Sequence, residues 1–278
     1  MAKMVGGELI NCDSRQIYKH LDIITGKTDN PTTIPMHMVD IVNPHDPFSA
    51  FDFARQGIVA IQEITARGKV PIVVGGTGNY ARMLLYLDPS NPNLNHGEHM
   101  TRHPFDEVRV TRKQYEESTK QDLQQKLMRL DMSVYSRLTP SDRENPRRLI
   151  RAIQRVENMA GELLDSDSPY ALASQYEVNI SILLHESEEL LLSHLMQRVE
   201  SRIALGALGE CESLMKAGYS RTDPGLATIG YQSVFRYLAG EIGYDTMKME
   251  WATKERQYAK RQKTYLLKYF PQATVVTV

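Results

Sequence analysis

The segment Val70-Pro71-Ile72-Val73-Val74 runs directly into Gly75-Gly76-Thr77-Gly78, and this junction constrains the fold more than any other feature of the chain. A short β-branched run reads as a buried strand, with Pro71 tolerated near its start. The apolar spacing of Tyr80, Met83, Leu84 and Leu87 beyond the glycines predicts a helix. Upstream, Glu8-Leu9-Ile10-Asn11-Cys12 reads as another short strand, ending at the polar turn Asp13-Ser14-Arg15-Gln16. A second strand is expected around Met36 to Val42. Ser49 and Asp52 have the spacing of a capping box, opening a helix whose Phe51, Ala54, Ile58, Ile61 and Ile64 recur at helical intervals until Gly68 stops it. Strand, helix, strand, glycine turn and helix in that order predict an open parallel α/β sheet with ligands at the carboxyl ends of its strands. The expected site is therefore built from Asp13 and Thr77.

From about Asp88 to Arg112 the chain turns polar and rich in Pro, Asn and His, which predicts a departure from the sheet. Helical patterns are present at about Lys113 to Arg129, Ser133 to Leu138, Asn145 to Met159, Leu190 to Ala204 and Glu210 to Ala217. A long basic helix, about Tyr244 to Tyr269, precedes a strand-like Ala273 to Val278. With 41% hydrophobic and 24% charged residues in 278, the composition is that of an ordinary globular protein. The two cysteines, Cys12 and Cys211, are too few for a disulfide framework or a thiolate metal site, in keeping with a reducing cytoplasm. No signal peptide is apparent, and no stretch approaches the roughly 18 apolar residues of a membrane span. A soluble cytoplasmic protein is expected.

A net charge of −1 argues against nucleic acid until its distribution is considered. Arg143 to Arg155 holds five Arg against one Glu, and Lys254 to Lys268 holds six Lys or Arg against one Glu. Arg148, Arg151 and Arg155 share a helix face, with Arg147 beside them. Arg256, Lys260 and Lys263 share another, flanked by Arg261 and Lys268. Charge rows on helices are usually solvated faces, but Tyr258 and Tyr265 interleave with the second row, as suits unpaired RNA bases. The glycine turn either lets backbone N–H groups approach an anion or is only a tight turn; Asp13 either takes a proton as a general base or caps the next helix. His96, His99 and His103, with Glu98 nearby, tempt a zinc reading, but their Asn-, Gly- and Pro-rich setting favours an exposed loop.

Six segments in register resemble one family, the tRNA dimethylallyltransferases. They are Asp13-Ser14-Arg15-Gln16-Ile17-Tyr18, Pro35-Met36-His37-Met38-Val39-Asp40, Val73 to Tyr80, Asn145 to Ile153, Ile229-Gly230-Tyr231 and Arg256 to Gln262. The resemblance covers nearly the whole chain. It implies a P-loop NTPase-like parallel core, here residues 1–92 and 143–278, and a mostly helical insertion at 93–142 that grips the tRNA anticodon arm. It implies transfer of a dimethylallyl group from dimethylallyl diphosphate to N6 of an adenosine adjacent to the anticodon, with Mg²⁺ as cofactor, by a monomer. By the same matching Asp13 is the base and Thr77 assists. Contacts to tRNA fall to Asp13, Ser14, Arg15, Gln16, Thr77, Arg147, Arg148, Arg151, Gly230, Tyr231, Arg256, Lys260, Arg261 and Gln262, and to Arg102 or Arg109.

The resemblance also implies a strand and a Gly-rich loop ending in Gly-Lys-Ser/Thr ahead of the matched segments, and these 278 residues contain no such loop. A truncated chain, a misplaced start and a degenerate relative are each compatible with that, so the residues holding the diphosphate are unassigned and no protein metal ligand is expected. Glu255 stands where the family more often has Thr, and Tyr265 where it more often has Trp. Two other readings stay open at this point: an adenylate isopentenyltransferase acting on free nucleotide, and a non-catalytic tRNA-binding relative.

Overall fold

The computed structural model describes residues 2–27, 34–86, 115, 118–157, 171–185 and 187–277. The chain opens with a single turn, α1 (Ala2–Val5), then β1 (Gly7–Asn11), β2 (Met36–His37), α2 (Ala50–Ala66), β3 (Val70–Val74) and α3 (Gly78–Tyr86). After these come α4 (Lys120–Leu130), α5 (Met132–Arg137), α6 (Pro140–Arg143) and α7 (Pro146–Glu157). The chain closes with β4 (Ser181–Leu184), α8 (Glu188–Ala204), α9 (Ala207–Lys216), α10 (Tyr231–Leu238), α11 (Tyr244–Tyr269) and β5 (Thr274–Thr277). The expected α/β class is borne out. β1 lies between β2 and β3, parallel to both, with Gly7 opposite Val70 and Asn11 opposite Val74. β4 and β5 form a separate parallel pair.

The capping box predicted for α2 is present. The Asp52 N–H donates to Ser49 Oγ at 3.1 Å, and the Ser49 N–H donates to Asp52 Oδ2 at 2.9 Å. Two of the helix's orphan N–H groups are thereby satisfied. Ala54, Ile58, Ile61 and Ile64 are buried as expected, but the aromatic ring of the buried face is Phe53 rather than the half-buried Phe51. Phe53 stacks on Tyr80 of α3 with centroids 4.5 Å apart. That contact seats α3, and with it the glycine turn, on the sheet's helical layer.

The second strand is shorter than expected. It stops at His37 because Met38 (φ 64°) and Asp40 (φ 56°) are left-handed, which an extended ladder cannot accommodate. Lys27 holds this kink, donating to the Tyr18 carbonyl at 2.5 Å and to Asp40 Oδ1 at 2.5 Å. Pairing resumes only at a bridge between Tyr18 and Val42. Nearby, Glu8 of β1 ties three elements together: it accepts from His37 Nε2 at 2.7 Å and from Arg67 Nη2, past the end of α2, at 2.7 Å. The Arg67 and His37 hydrogen bonds hold the Glu8 carboxyl down at about 2.

The chain divides into two compact units, residues 1–89 with 170–278 and residues 90–169. In the second, Leu123 and Leu127 of α4 pack against Leu149, Ala152 and Ile153 of α7, with Tyr115 completing the cluster. Full burial of each such leucine contributes about 1.5–3 kcal/mol. The division expected at residue 143 therefore moves: α7 belongs with the helices before it, because its apolar stripe is used against α4. Among the described residues, no helix is long and apolar enough to cross a membrane.

Candidate active site

The site begins at the buried end of β1. Asn11, 2% exposed, uses its whole amide to shape the chain after it. Nδ2 donates to the Met38 carbonyl at 2.9 Å and to the Asp13 carbonyl at 3.3 Å, while Oδ1 accepts the Asp13 N–H at 3.1 Å. Asp13 then turns the chain, with Oδ1 accepting the Arg15 N–H at 2.8 Å. That is an Asx-type turn. No helix directly follows Asp13, so the helix-cap reading gives way to a local turn, while its carboxylate stands half-buried at a strand's carboxyl end.

β3 delivers the other half. The Cys12 N–H donates to the Val74 carbonyl at 2.7 Å and the Thr77 N–H to the Cys12 carbonyl at 3.1 Å, so the two strand ends continue the ladder past the sheet. Gly75 makes the approach possible, because a Cβ there would lie 2.3 Å from the Cys12 carbonyl carbon. The turn brings the Thr77 hydroxyl to Ser14: it accepts the Ser14 N–H at 3.0 Å and donates to Ser14 Oγ at 3.2 Å. The residues on which the sequence reading depended, Asp13 and Thr77, are brought together through the residue adjacent to Asp13.

α11 lies over this rim. Gln262 Nε2 donates to the Gly76 carbonyl at 2.8 Å, and the Tyr265 hydroxyl donates to Asn79 Oδ1 at 3.3 Å. Burial, and then the Asp13 carboxylate, push the Tyr258 phenol above its ordinary value. Arg261 stands over the Tyr258 ring, 5.9 Å from its centroid. Lys260 and Arg261 are exposed and Arg256 is half-buried, so cations and aromatic rings alternate along the helix as the sequence suggested.

Other expected contacts are placed differently. Arg15 Nη1 donates to the Pro224 carbonyl at 3.3 Å, and Gln16 Nε2 donates to the Thr25 carbonyl at 3.1 Å, so both side chains are engaged with the protein's own backbone. Gly230 (φ 98°) is packed against Ile24 and Trp251. Tyr231 is fully buried, its hydroxyl donating to Glu210 Oε1 at 2.5 Å. Its side chain is part of the core and offers no surface to an RNA base, a correction to the expectation for this residue. In the second unit, Arg148 and Arg151 are exposed on α7, and Arg148 pairs with Asp142. The Arg147 side chain, Arg102, Arg109, His96, Glu98, His99 and His103 lie outside the described residues.

One cluster near the site was not foreseen. Glu255, 8% exposed, accepts Trp251 Nε1 at 2.9 Å, Arg202 Nη1 at 3.0 Å and Arg198 Nε at 3.1 Å. Burial lowers the Arg202 guanidinium below its ordinary value, against the Glu255 carboxylate and, more weakly, that of Asp13. The two arginines and the indole N–H thus leave the Glu255 carboxylate fully partnered inside the protein. The only trace of this cluster in the sequence is spacing: Arg198 and Arg202, like Trp251 and Glu255, are four residues apart. Among the described residues no three His, Cys, Asp or Glu side chains converge to hold a metal.

The family model described as IPP transferase matches residues 16–269. The chain belongs to that family. A tRNA dimethylallyltransferase 1 of Citrifermentans bemidjiense is 34% identical to this IPP transferase family member over 267 residues, 95% of this chain and 82% of the relative. A tRNA dimethylallyltransferase of Staphylococcus haemolyticus is 32% identical over 275 residues, covering 95% and 77%. The crystal structure of a tRNA isopentenylpyrophosphate transferase from Staphylococcus epidermidis superposes with a TM-score of 0.65 at 28% identity, over 100% of this chain and 86% of that one. A eukaryotic dimethylallyltransferase captured acting on tRNA gives a TM-score of 0.76 at 21% identity, covering 99% and 68%, and shows the shared fold. These likenesses bear out the P-loop NTPase-like class of the core.

Proposed function

We propose that this IPP transferase family member moves a dimethylallyl group from dimethylallyl diphosphate to N6 of an adenosine beside the anticodon of tRNA. The observation that carries the reading is the meeting of the Asp13 loop with the Thr77 turn at the carboxyl ends of β1 and β3, bridged by the 3.0 Å bond from Ser14 to Thr77. The adenine amine is a poor nucleophile because its lone pair is shared with the ring. A carboxylate that takes its proton helps most as the new bond forms. In the step proposed, N6 attacks the dimethylallyl carbon, the carbon–oxygen bond breaks with its electron pair going to diphosphate, and the N6 proton passes to Asp13. Thr77 orients the Ser14 loop and offers a hydroxyl near the reacting groups.

The exposed cations of α11 supply phosphate contacts along an RNA strand, with Tyr258 among them for stacking. The target base leaves its stack to reach the rim, as enzymes acting on a base require. Among the described residues no three His, Cys, Asp or Glu side chains converge, so an Mg²⁺ ion here would take most of its ligands from the diphosphate and water. The test is transfer from labelled dimethylallyl diphosphate to an anticodon stem-loop and, separately, to AMP. Label on the stem-loop adenosine is the expected result. Preference for AMP, or salt-sensitive RNA binding without transfer, would overturn the reading.

A further inference from the structure

Gln262 shares a helix with the basic residues of α11, and its position alone would class it as one more RNA contact. Its geometry assigns it elsewhere. The peptide unit between Gly76 and Thr77 is pinned at both ends: its carbonyl accepts Gln262 Nε2 at 2.8 Å, and its N–H donates to the Cys12 carbonyl at 3.1 Å. The same carbonyl also accepts the Gly78 N–H at 3.1 Å, closing the turn. Fixing a peptide plane at both ends fixes the Cα that comes after it, and therefore where the Thr77 hydroxyl is presented to Ser14. The amide occupies the space a side chain at Gly76 would need, since a Cβ there would lie 2.1 Å from Gln262 Nε2. Gly76 does not have a positive φ, so an alanine there would strain no backbone and would act by displacing the Gln262 amide. One helical turn further on, the bond from Tyr265 to Asn79 holds α11 in register with the turn.

We infer that Gln262 is a positioning residue for prenyl transfer, holding the Gly76–Thr77 peptide so that the Thr77 hydroxyl meets the Asp13 loop. The inference rests on the function proposed above for the Thr77 site. Misplacement of a reacting group by about 1 Å can cost on the order of 100-fold in rate. Gln262→Ala is therefore expected to lower kcat by roughly 10- to 100-fold while changing the Kd for an anticodon stem-loop less than about twofold. Gly76→Ala, which would push the amide aside, should show the same split. In the double variant the two losses should fall well short of multiplying, because they remove one interaction. Amide hydrogen exchange at Thr77 should quicken in each variant, a readout that needs no turnover. A Gln262→Ala protein with unchanged kcat and weakened RNA binding would overturn the inference, as would losses that multiply or a Thr77 amide exchanging at the wild-type rate. Absence of transfer by the wild-type protein would instead count against the proposed reaction, leaving the exchange measurement to decide the positioning role.

Discussion

A hydroxyl can donate one hydrogen bond and accept two, and Thr77 spends its donor and one acceptor on a single neighbour, Ser14. That economy makes the residue easy to test. Thr77→Ser keeps both bonds and should retain stability and most activity. Thr77→Val keeps the shape but leaves the half-buried Ser14 N–H without its acceptor, a loss of about 1–3 kcal/mol. Urea unfolding of the two variants should separate them by that amount, with turnover falling only in the valine protein; equal midpoints would mean the Ser14 bond contributes nothing. Asn11 matters in the same way at one remove. Its buried amide sets the path of Asp13, and a lone Asn at the end of an apolar strand carries no mark in the sequence to distinguish that duty from a simple strand end.

Among the elements, the junction at β1, β2 and the end of α2 depends on Glu8, and its charge gives a pH signature. The folded carboxyl is held near 2 against an ordinary 4.5, so its contribution is fully present above about 4.5 and is lost as pH falls toward 2. Thermal midpoints taken between pH 6 and pH 2.5 should drop for the wild type more than for Glu8→Gln, and parallel curves would remove Glu8 from the account. β1, α2, β3, α3 and the basic α11 were legible as elements, because their apolar patterns and caps act locally, but β3, expected to be buried, is exposed at Val70, Val73 and Val74. β2 was overextended, since nothing in Met38 or Asp40 announces a left-handed residue. α10 escaped notice because it has only eight residues and no side-chain cap at Gly230. The home of α7 was misread for a different reason: an amphipathic stripe states that a helix is buried on one side, but not against which partner.

At the scale of the whole molecule, nearly the full chain matches one enzyme family, and the unit made of residues 1–89 and 170–278 holds both strand ends and the α11 helix laid over them. Asp13 and Thr77 could be paired from the sequence because parallel strands place their carboxyl ends side by side. The Glu255, Arg198 and Arg202 cluster and the grip of Gln262 on Gly76 join residues tens to nearly two hundred positions apart, and no local pattern encodes such contacts. The site as a whole makes one demand: the carboxylate beside Ser14 must act in the chemistry rather than in holding RNA. Asp13→Asn preserves the acceptor for the Arg15 N–H and removes only the base, so it isolates that demand. Single-turnover transfer to an anticodon stem-loop, measured beside RNA affinity, should slow by about 10²- to 10⁴-fold with affinity nearly unchanged. Equal losses in rate and affinity, or an unaltered rate, would contradict the account.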